Sequence, residues 1–195
     1  MSTPSAPVLD RRVRRSRESL MRAAIELVSE RGTTAVSITD IADAADVSRQ
    51  VLYLQFGDRD NLLLEAALDL ARRELPSGSA VSPDDGTQHP QVLAVAHHFA
   101  EHRAFYRAML TGSCAFALNE ALSGVMIPVN REVVRQMYGE HLDARTVDDL
   151  ATFITGGAGA IVNAWVIGGE DPPDPAAFTD RLMRLTSVLN KQGHQ

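Results

Sequence analysis

The sequence predicts an all-α fold of about nine helices: an N-terminal three-helix part built around a helix-turn-helix, then a longer C-terminal helical part. Three observations predict it. Apolar residues recur three and four apart in nearly every segment, and no run alternates β-branched with polar residues as a strand would. Ser and Asp stand where helices should begin, and Gly or Pro where they should end. The stretch 76–90 (PSGSAVSPDDGTQHP) holds three Pro and two Gly with little apolar content, and reads as the loop between the two parts. The expected organisation is a disordered arm at 1–13, a first domain at 14–75 with its helix-turn-helix at about 37–56, and a second domain at 76–195.

Each element follows from local chemistry. Residues 1–10, rich in Ser and Pro, read as a tail, and the first helix is expected to start near Arg14 to Ser16. Leu20, Ala24, Leu27 and Val28 form its apolar stripe, and Gly32 stops it. Ser37 can cap a second helix, with Asp40 reaching back in a short-armed capping box before Ile41, Ala42 and Ala45. Asp46-Val47-Ser48 interrupts, and Ser48 caps a third helix from Arg49 to about Phe56. Asp58 caps a fourth, with Leu62, Leu63, Ala66, Leu70 and Ala71 turned inward. Beyond the loop, helices are expected at about 91–102, 104–111, 114–139, 144–168 and 175–190. Asp174-Pro175 opens the last of them, with Asp as cap and Pro in the first turn.

Composition narrows the class. The chain has 195 residues, 45% hydrophobic and 23% charged, which is ordinary globular usage. Residues 1–17 carry five Arg and no apolar core, unlike a secretory signal. The apolar run 158–169 is too short to span a bilayer and contains Asn163. Cys114 is the single cysteine, so no internal disulfide is possible. A cytoplasmic protein is expected, without membrane partners. Residues 1–75 net −1 and 76–195 net −5, yet 11–22 hold six Arg against Glu18. An acidic protein can still bind a polyanion through such a patch; the alternative is a solvated helix face.

The segment 37–56 carries the chemistry: two short capped helices joined by a turn. On the second, Leu52 and Phe56 share one face with Val47, leaving Arg49, Gln50 and Tyr53 on the other. An exposed Gln and Tyr beside an Arg add little to stability, but they suit a helix laid in the DNA major groove. There Gln50 can bond adenine, Arg49 guanine, and Val51 can touch a thymine methyl. The hydroxyls of Ser37, Thr39, Ser48 and Tyr53 suit phosphate oxygens, and Arg59 can clamp another.

The residues Ala23-Ala24-Ile25-Glu26-Leu27-Val28, Gly32, Ile38-Thr39-Asp40-Ile41-Ala42, Val47-Ser48, Leu52-Tyr53, Phe56, Asp58-Arg59 and Leu62-Leu63 stand at family spacing. Over about 55 residues, from Arg15 to Leu70, the chain resembles the DNA-binding domain of the TetR (tetracycline-repressor) family of transcriptional regulators. The family usually has Gly where Asp46 stands, but Asp tolerates the left-handed conformation. Gln50 replaces a residue that is often small, and Gln55 one that is often His; both bear on operator sequence and mark Gln55 as a DNA-facing candidate. The resemblance implies a repressor that binds a palindromic operator in double-stranded DNA as a homodimer and is released by a small-molecule effector. It gives Arg11, Arg12, Arg14 and Arg15 a role along phosphates or in a minor groove, with a solubilising tail as the alternative.

In the second part the resemblance implies a ligand-binding and dimerisation domain whose last two helices form a four-helix bundle with a partner. Leu150, Phe153, Ile154, Gly157, Ala158, Ile161, Val162, Trp165 and Val166 cover more than one face of 144–168, so that helix needs two neighbours. Close helix approach would explain Gly156, Gly157 and Gly159. Phe178, Leu182, Leu185 and Leu189 stripe the final helix. Candidates for the effector pocket are His98, Phe105, Met109, Phe116, Met126, Asn130, Asn163 and Trp165; for any one of them plain core is the favoured reading.

Other classes fit less well. His98 and His102 lie i, i+4 and can hold two positions of a metal, but HHFAEH lacks the HExxH arrangement and Cys114 is the only thiol, so no metal or other cofactor is expected. No GxSxG elbow occurs, and no enzyme is expected. A ligand sensor or interaction protein that does not bind DNA would leave Arg49, Gln50 and Tyr53 without a purpose.

Overall fold

A computed structural model of the chain describes residues 6–75, 90–169 and 171–191. Among them every regular element is helical: α1 (Ala6–Arg31), α2 (Ile38–Ala44), α3 (Arg49–Phe56), α4 (Arg59–Glu74), α5 (Pro90–Glu101), α6 (Arg103–Thr111), α7 (Ala115–Tyr138), a 3₁₀ turn at Gly139–His141, α8 (Ala144–Gly168) and α9 (Pro175–Lys191). The caps fall where local chemistry requires them. Asp58 Oδ1 accepts from Asn61 N at 2.8 Å, and Asp174 Oδ1 accepts from Ala176 and Ala177 N. Thr146 N bonds the carboxylate of Asp143 at the start of α8 and holds its pKa below the ordinary value.

The first helix differs from expectation. It begins at Ala6, about two turns before Arg14, so residues 6–13 are helical rather than a disordered arm. Pro7 lies in the first turn, where a missing N–H does no harm, and Arg is a strong helix former. The expected loop at 76–90 lies outside the described residues, except that Pro90 already begins α5.

The chain divides into two compact units, and the division is not at residue 75. The first unit is Met1–Leu70 with Ala104–Leu118, and the second is Ala71–Arg103 with Asn119–Gln195. Residues 104–118 join the first unit because α6 is amphipathic. Phe105, Tyr106, Ala108 and Met109 are buried on it, and Tyr106 Oη donates to the Ala67 carbonyl at 3.4 Å. Behind α6, Gly112 comes so close to Thr34 that a Cβ would stand 2.5 Å from Thr34 Oγ1. Around Leu20, Ala24, Val28, Ile41, Leu52, Leu62 and Leu63 the rest of this unit closes an apolar core.

Polar ties lock the first unit further. Arg17 pairs with Glu65, donates to the Gln55 carbonyl at 3.1 Å and lies 4.4 Å over the Phe56 ring. Arg31 pairs with Asp40. This contact, with the Ser37 hydroxyl, lowers the pKa of Asp40, so its carboxylate is turned to α1 as well as to the cap.

In the second unit α5 packs on α8 and α9. Trp165 stacks on Phe178 with centroids 4.2 Å apart. Arg103 closes the end of α8 by donating to the carbonyls of Val166 (3.0 Å) and Gly169 (2.6 Å), a cation satisfying the negative end of a helix. One face of α8, with Val147, Ala151, Thr155, Val162 and Val166, is buried. The other exposes Phe153, Gly157, Ala160 and Ala164 at i, i+4, i+7, i+11. A Cβ built on Gly156, Gly157 or Gly159 meets nothing within 4 Å, so close approach inside the chain does not account for them. By length and composition α8 is apolar enough to cross a membrane, with a mean hydropathy of 1.6 over 18 residues; the expectation drawn from 158–169 alone understated it. On α9, Phe178 is buried but Leu185 is exposed, so the expected stripe is covered at one end only; the side chain of Leu189 lies outside the described residues.

Candidate nucleic-acid interface

The helix-turn-helix is held by local bonds that the sequence dictates. Ser37 Oγ accepts from Asp40 N at 3.0 Å, and Ser48 Oγ from Val51 N at 3.4 Å. Between the two helices, Asp46 adopts φ 53°. Asp46 N donates to Asp43 O at 3.2 Å and Val47 N to Ala42 O at 3.0 Å, the paired bonds of a Schellman stop with Asp in the position usually held by Gly. The turn therefore survives the absence of glycine.

That stop aims α3. Leu52 and Phe56 are buried, while Ser48, Arg49 and Gln50 are exposed and Tyr53 is 52% exposed. Leu54 is 84% exposed, the most exposed of the large hydrophobic residues described. It lies one turn after Gln50 and joins the outward face, which sequence reasoning missed although the i, i+4 spacing signalled it. Ser37 and Thr39 are exposed at the start of α2, and Val51 is half-buried.

Two expected DNA-facing residues are engaged elsewhere. Gln55 is half-buried against α1: its Nε2 donates to Ser16 Oγ at 2.8 Å, and its Oε1 is buried without a partner among the described residues. The reason is position, since Gln55 lies beside Phe56 on the side that α1 covers, not on the Gln50 side. Arg59 bonds its neighbour Asp60, Nε to Oδ1 at 2.9 Å. An open cleft of about 540 Å³ is lined by Val36, Ser37, Ile38, Tyr53, Asp58, Arg59 and Asp60, and its two acids oppose a phosphate there. Arg11, Arg12, Arg14 and Arg15 are exposed on one helix, with Arg14 3.7 Å from Glu18.

The family model described as bacterial regulatory proteins of the tetR family matches residues 20–66, the segment that builds this surface. That stretch is therefore similar to the DNA-binding domain of TetR-family regulators. It is 26% identical over 167 residues to the HTH-type transcriptional regulator BetI of Brucella canis, covering 83% of this chain and 84% of that one. It is 38% identical over 81 residues to the regulator AlkX of Mycobacterium tuberculosis, covering 37% and 38%. The TetR-family repressor AlkX of Dietzia sp., implicated in biodegradation of n-alkanes, shares the fold at a TM-score of 0.53 and 22% identity, covering 90% of this chain and 95% of that one. TetR-family members are DNA-binding transcriptional regulators rather than enzymes; they bind DNA as dimers and respond to small molecules.

The eight expected pocket residues do not gather in one place. Phe105 and Met109 belong to the core of the first unit, because the α6 stripe packs there. Phe116 is 79% exposed. Asn130 donates to Thr155 Oγ1 at 2.8 Å, and Asn163 to Asn119 Oδ1 at 2.7 Å, so both amides are met by bonds between helices. Trp165 is engaged with Phe178, and Met126 is half-buried. None of the eight lines the 540 Å³ cleft or a second concavity of about 350 Å³ beside Gly32 and Arg107.

His98 is buried and points Nδ1 at Glu74 Oε2, 2.8 Å away; His102 Nε2 meets the same oxygen at 2.8 Å. Burial lowers the pKa of His98. Partial burial opposes ionisation of Glu74, but the two imidazole bonds outweigh it and hold its carboxyl below the ordinary range. Burial also raises the Cys114 thiol, which leaves an unreactive core cysteine.

Proposed function

We propose that the chain is a ligand-responsive repressor that reads a palindromic operator as a homodimer, with one α3 in the major groove of each half-site. The observation that carries this reading is the outward face of α3. Arg49, Gln50, Tyr53 and Leu54 project from an eight-residue helix whose other residues hold it to the core. Gln50 reads adenine, Arg49 guanine, and Leu54, more than half-buried Val51, meets a thymine methyl. Ser37 and Ser48 accept backbone N–H with their oxygens, and each hydroxyl hydrogen can still donate to phosphate, as can those of Thr39 and Tyr53. Arg59 joins them by exchanging Asp60 for phosphate, while Gln55 positions α3 from behind.

The exposed small-residue face of α8 and the uncovered Leu185 and Val188 of α9 support pairing of two copies. An apolar face with no Cβ in the way invites a second helix at short range. In the second unit Met126, Asn130, Asn163 and Trp165 are the residues by which an effector would be met, once the interhelical amide bonds exchange partners. Such coupling is worth about 1–3 kcal/mol and acts in both directions. The cytoplasm, where DNA and metabolites meet, is the compartment this reading requires.

Footprinting of DNA selected by the full-length protein tests the proposal. A palindromic footprint is expected, and Gln50→Ala should relax base preference within it at a cost of about 1–3 kcal/mol. Binding that ignores sequence in both proteins would remove the reading of α3.

A further inference from the structure

We propose that Glu74, His98 and His102 bind one divalent first-row transition-metal ion of the zinc type. The three ligand atoms, one from each side chain, lie within 4.8 Å of one another. Two are imidazole nitrogens on one helical turn, since His102 N bonds His98 O at 3.1 Å and continues α5. The third, Glu74 Oε2, ends α4 and already stands 2.8 Å from both rings. At Zn–N and Zn–O lengths of about 2.0–2.2 Å, tetrahedral ligands sit about 3.3–3.5 Å apart. The two contacts to Glu74 thus need to open by only about half an ångström, with the ion taking the place of the protons now shared with the carboxylate.

Burial favours binding as well. The His98 side chain is 1% exposed and held edge-on to Phe99, so one ligand is fixed in advance. His102 and Glu74 are 19% and 39% exposed, which gives the ion a route in and leaves its remaining coordination position open to water or a small anion. Two imidazoles and one carboxylate select zinc, nickel, cobalt or copper over magnesium and calcium, which prefer oxygen ligands. The local sequence supplied two ligands; the fold brings the third from 24 residues away.

The test uses full-length, tag-free protein stripped with chelator and titrated with Zn²⁺ by calorimetry. One ion per chain at micromolar affinity or tighter is expected, with a rise in melting temperature. Glu74→Gln, at an exposed position, and His102→Ala, at a half-buried one, should each weaken binding at least tenfold while circular dichroism and DNA binding stay intact. Because DNA binding is read separately, failure of the metal site and failure of the repressor reading are distinguishable. No stoichiometric Zn²⁺, equal affinity in both variants, or competition by equimolar Mg²⁺ would each overturn the assignment.

Discussion

Two leucines on α3 make opposite predictions. Leu52 is 0% exposed and Leu54 is 84% exposed, on one helix and two residues apart. Truncating Leu52 to Ala leaves a cavity in the first unit and should cost about 2–5 kcal/mol of folding stability. Truncating Leu54 removes surface that water already covers, so stability should change by less than about 0.5 kcal/mol. On DNA the ranking reverses. Leu→Ala deletes three carbon groups at about 0.8 kcal/mol each. With 84% of the side chain still to be covered, the ceiling is about 2 kcal/mol, or about thirtyfold in Kd. Thermal melts and gel-shift titrations of both variants against the footprinted operator measure the two effects. A Leu54→Ala protein that melts early, or that binds operator like the parent, would show that this side chain is not waiting for a groove.

Asp46→Ala should destabilise the first unit by about 1 kcal/mol, because Ala at φ 53° lacks the tolerance of Asp, whereas Asp46→Gly should melt at or slightly above the parent. Arg17→Ala removes the bond to the Gln55 carbonyl and the stack over Phe56, at a cost of about 1–2 kcal/mol in urea unfolding. Arg12→Ala and Arg15→Ala leave the fold alone, and each should lower the slope of log affinity against log salt by about 0.9 if its guanidinium lies on phosphate. Gly157→Leu adds helix propensity worth nearly 1 kcal/mol to an isolated chain, so weaker self-association by sedimentation would reveal a partner helix over that glycine.

What the sequence made legible was local. Ser37, Ser48, Asp58 and Asp174 announced helix starts because each bonds an N–H two or three residues away. The surface of Gln50 and Tyr53 followed from a period of 3.6 once Leu52 and Phe56 were assigned to the core. What failed was nonlocal. Gln55 lost its place on the DNA face to Ser16, 39 residues earlier, and Glu74 found His98 24 residues later; no local periodicity contains either pairing. The pocket candidates scattered for the same reason. Aromatic and Met side chains advertise burial, but Phe105 and Trp165 carry no mark of which core will take them.

The embrace of α6 bears on how such regulators can be recombined. Tyr106 and Gly112 complete the DNA-reading head from beyond residue 100, so the head is not a severable N-terminal cassette. A chimera joined at residue 75 would remove the Tyr106 hydroxyl from the Ala67 carbonyl and empty the seat of its ring. Grafts that carry 104–118 along with the first seventy residues should transplant operator choice intact.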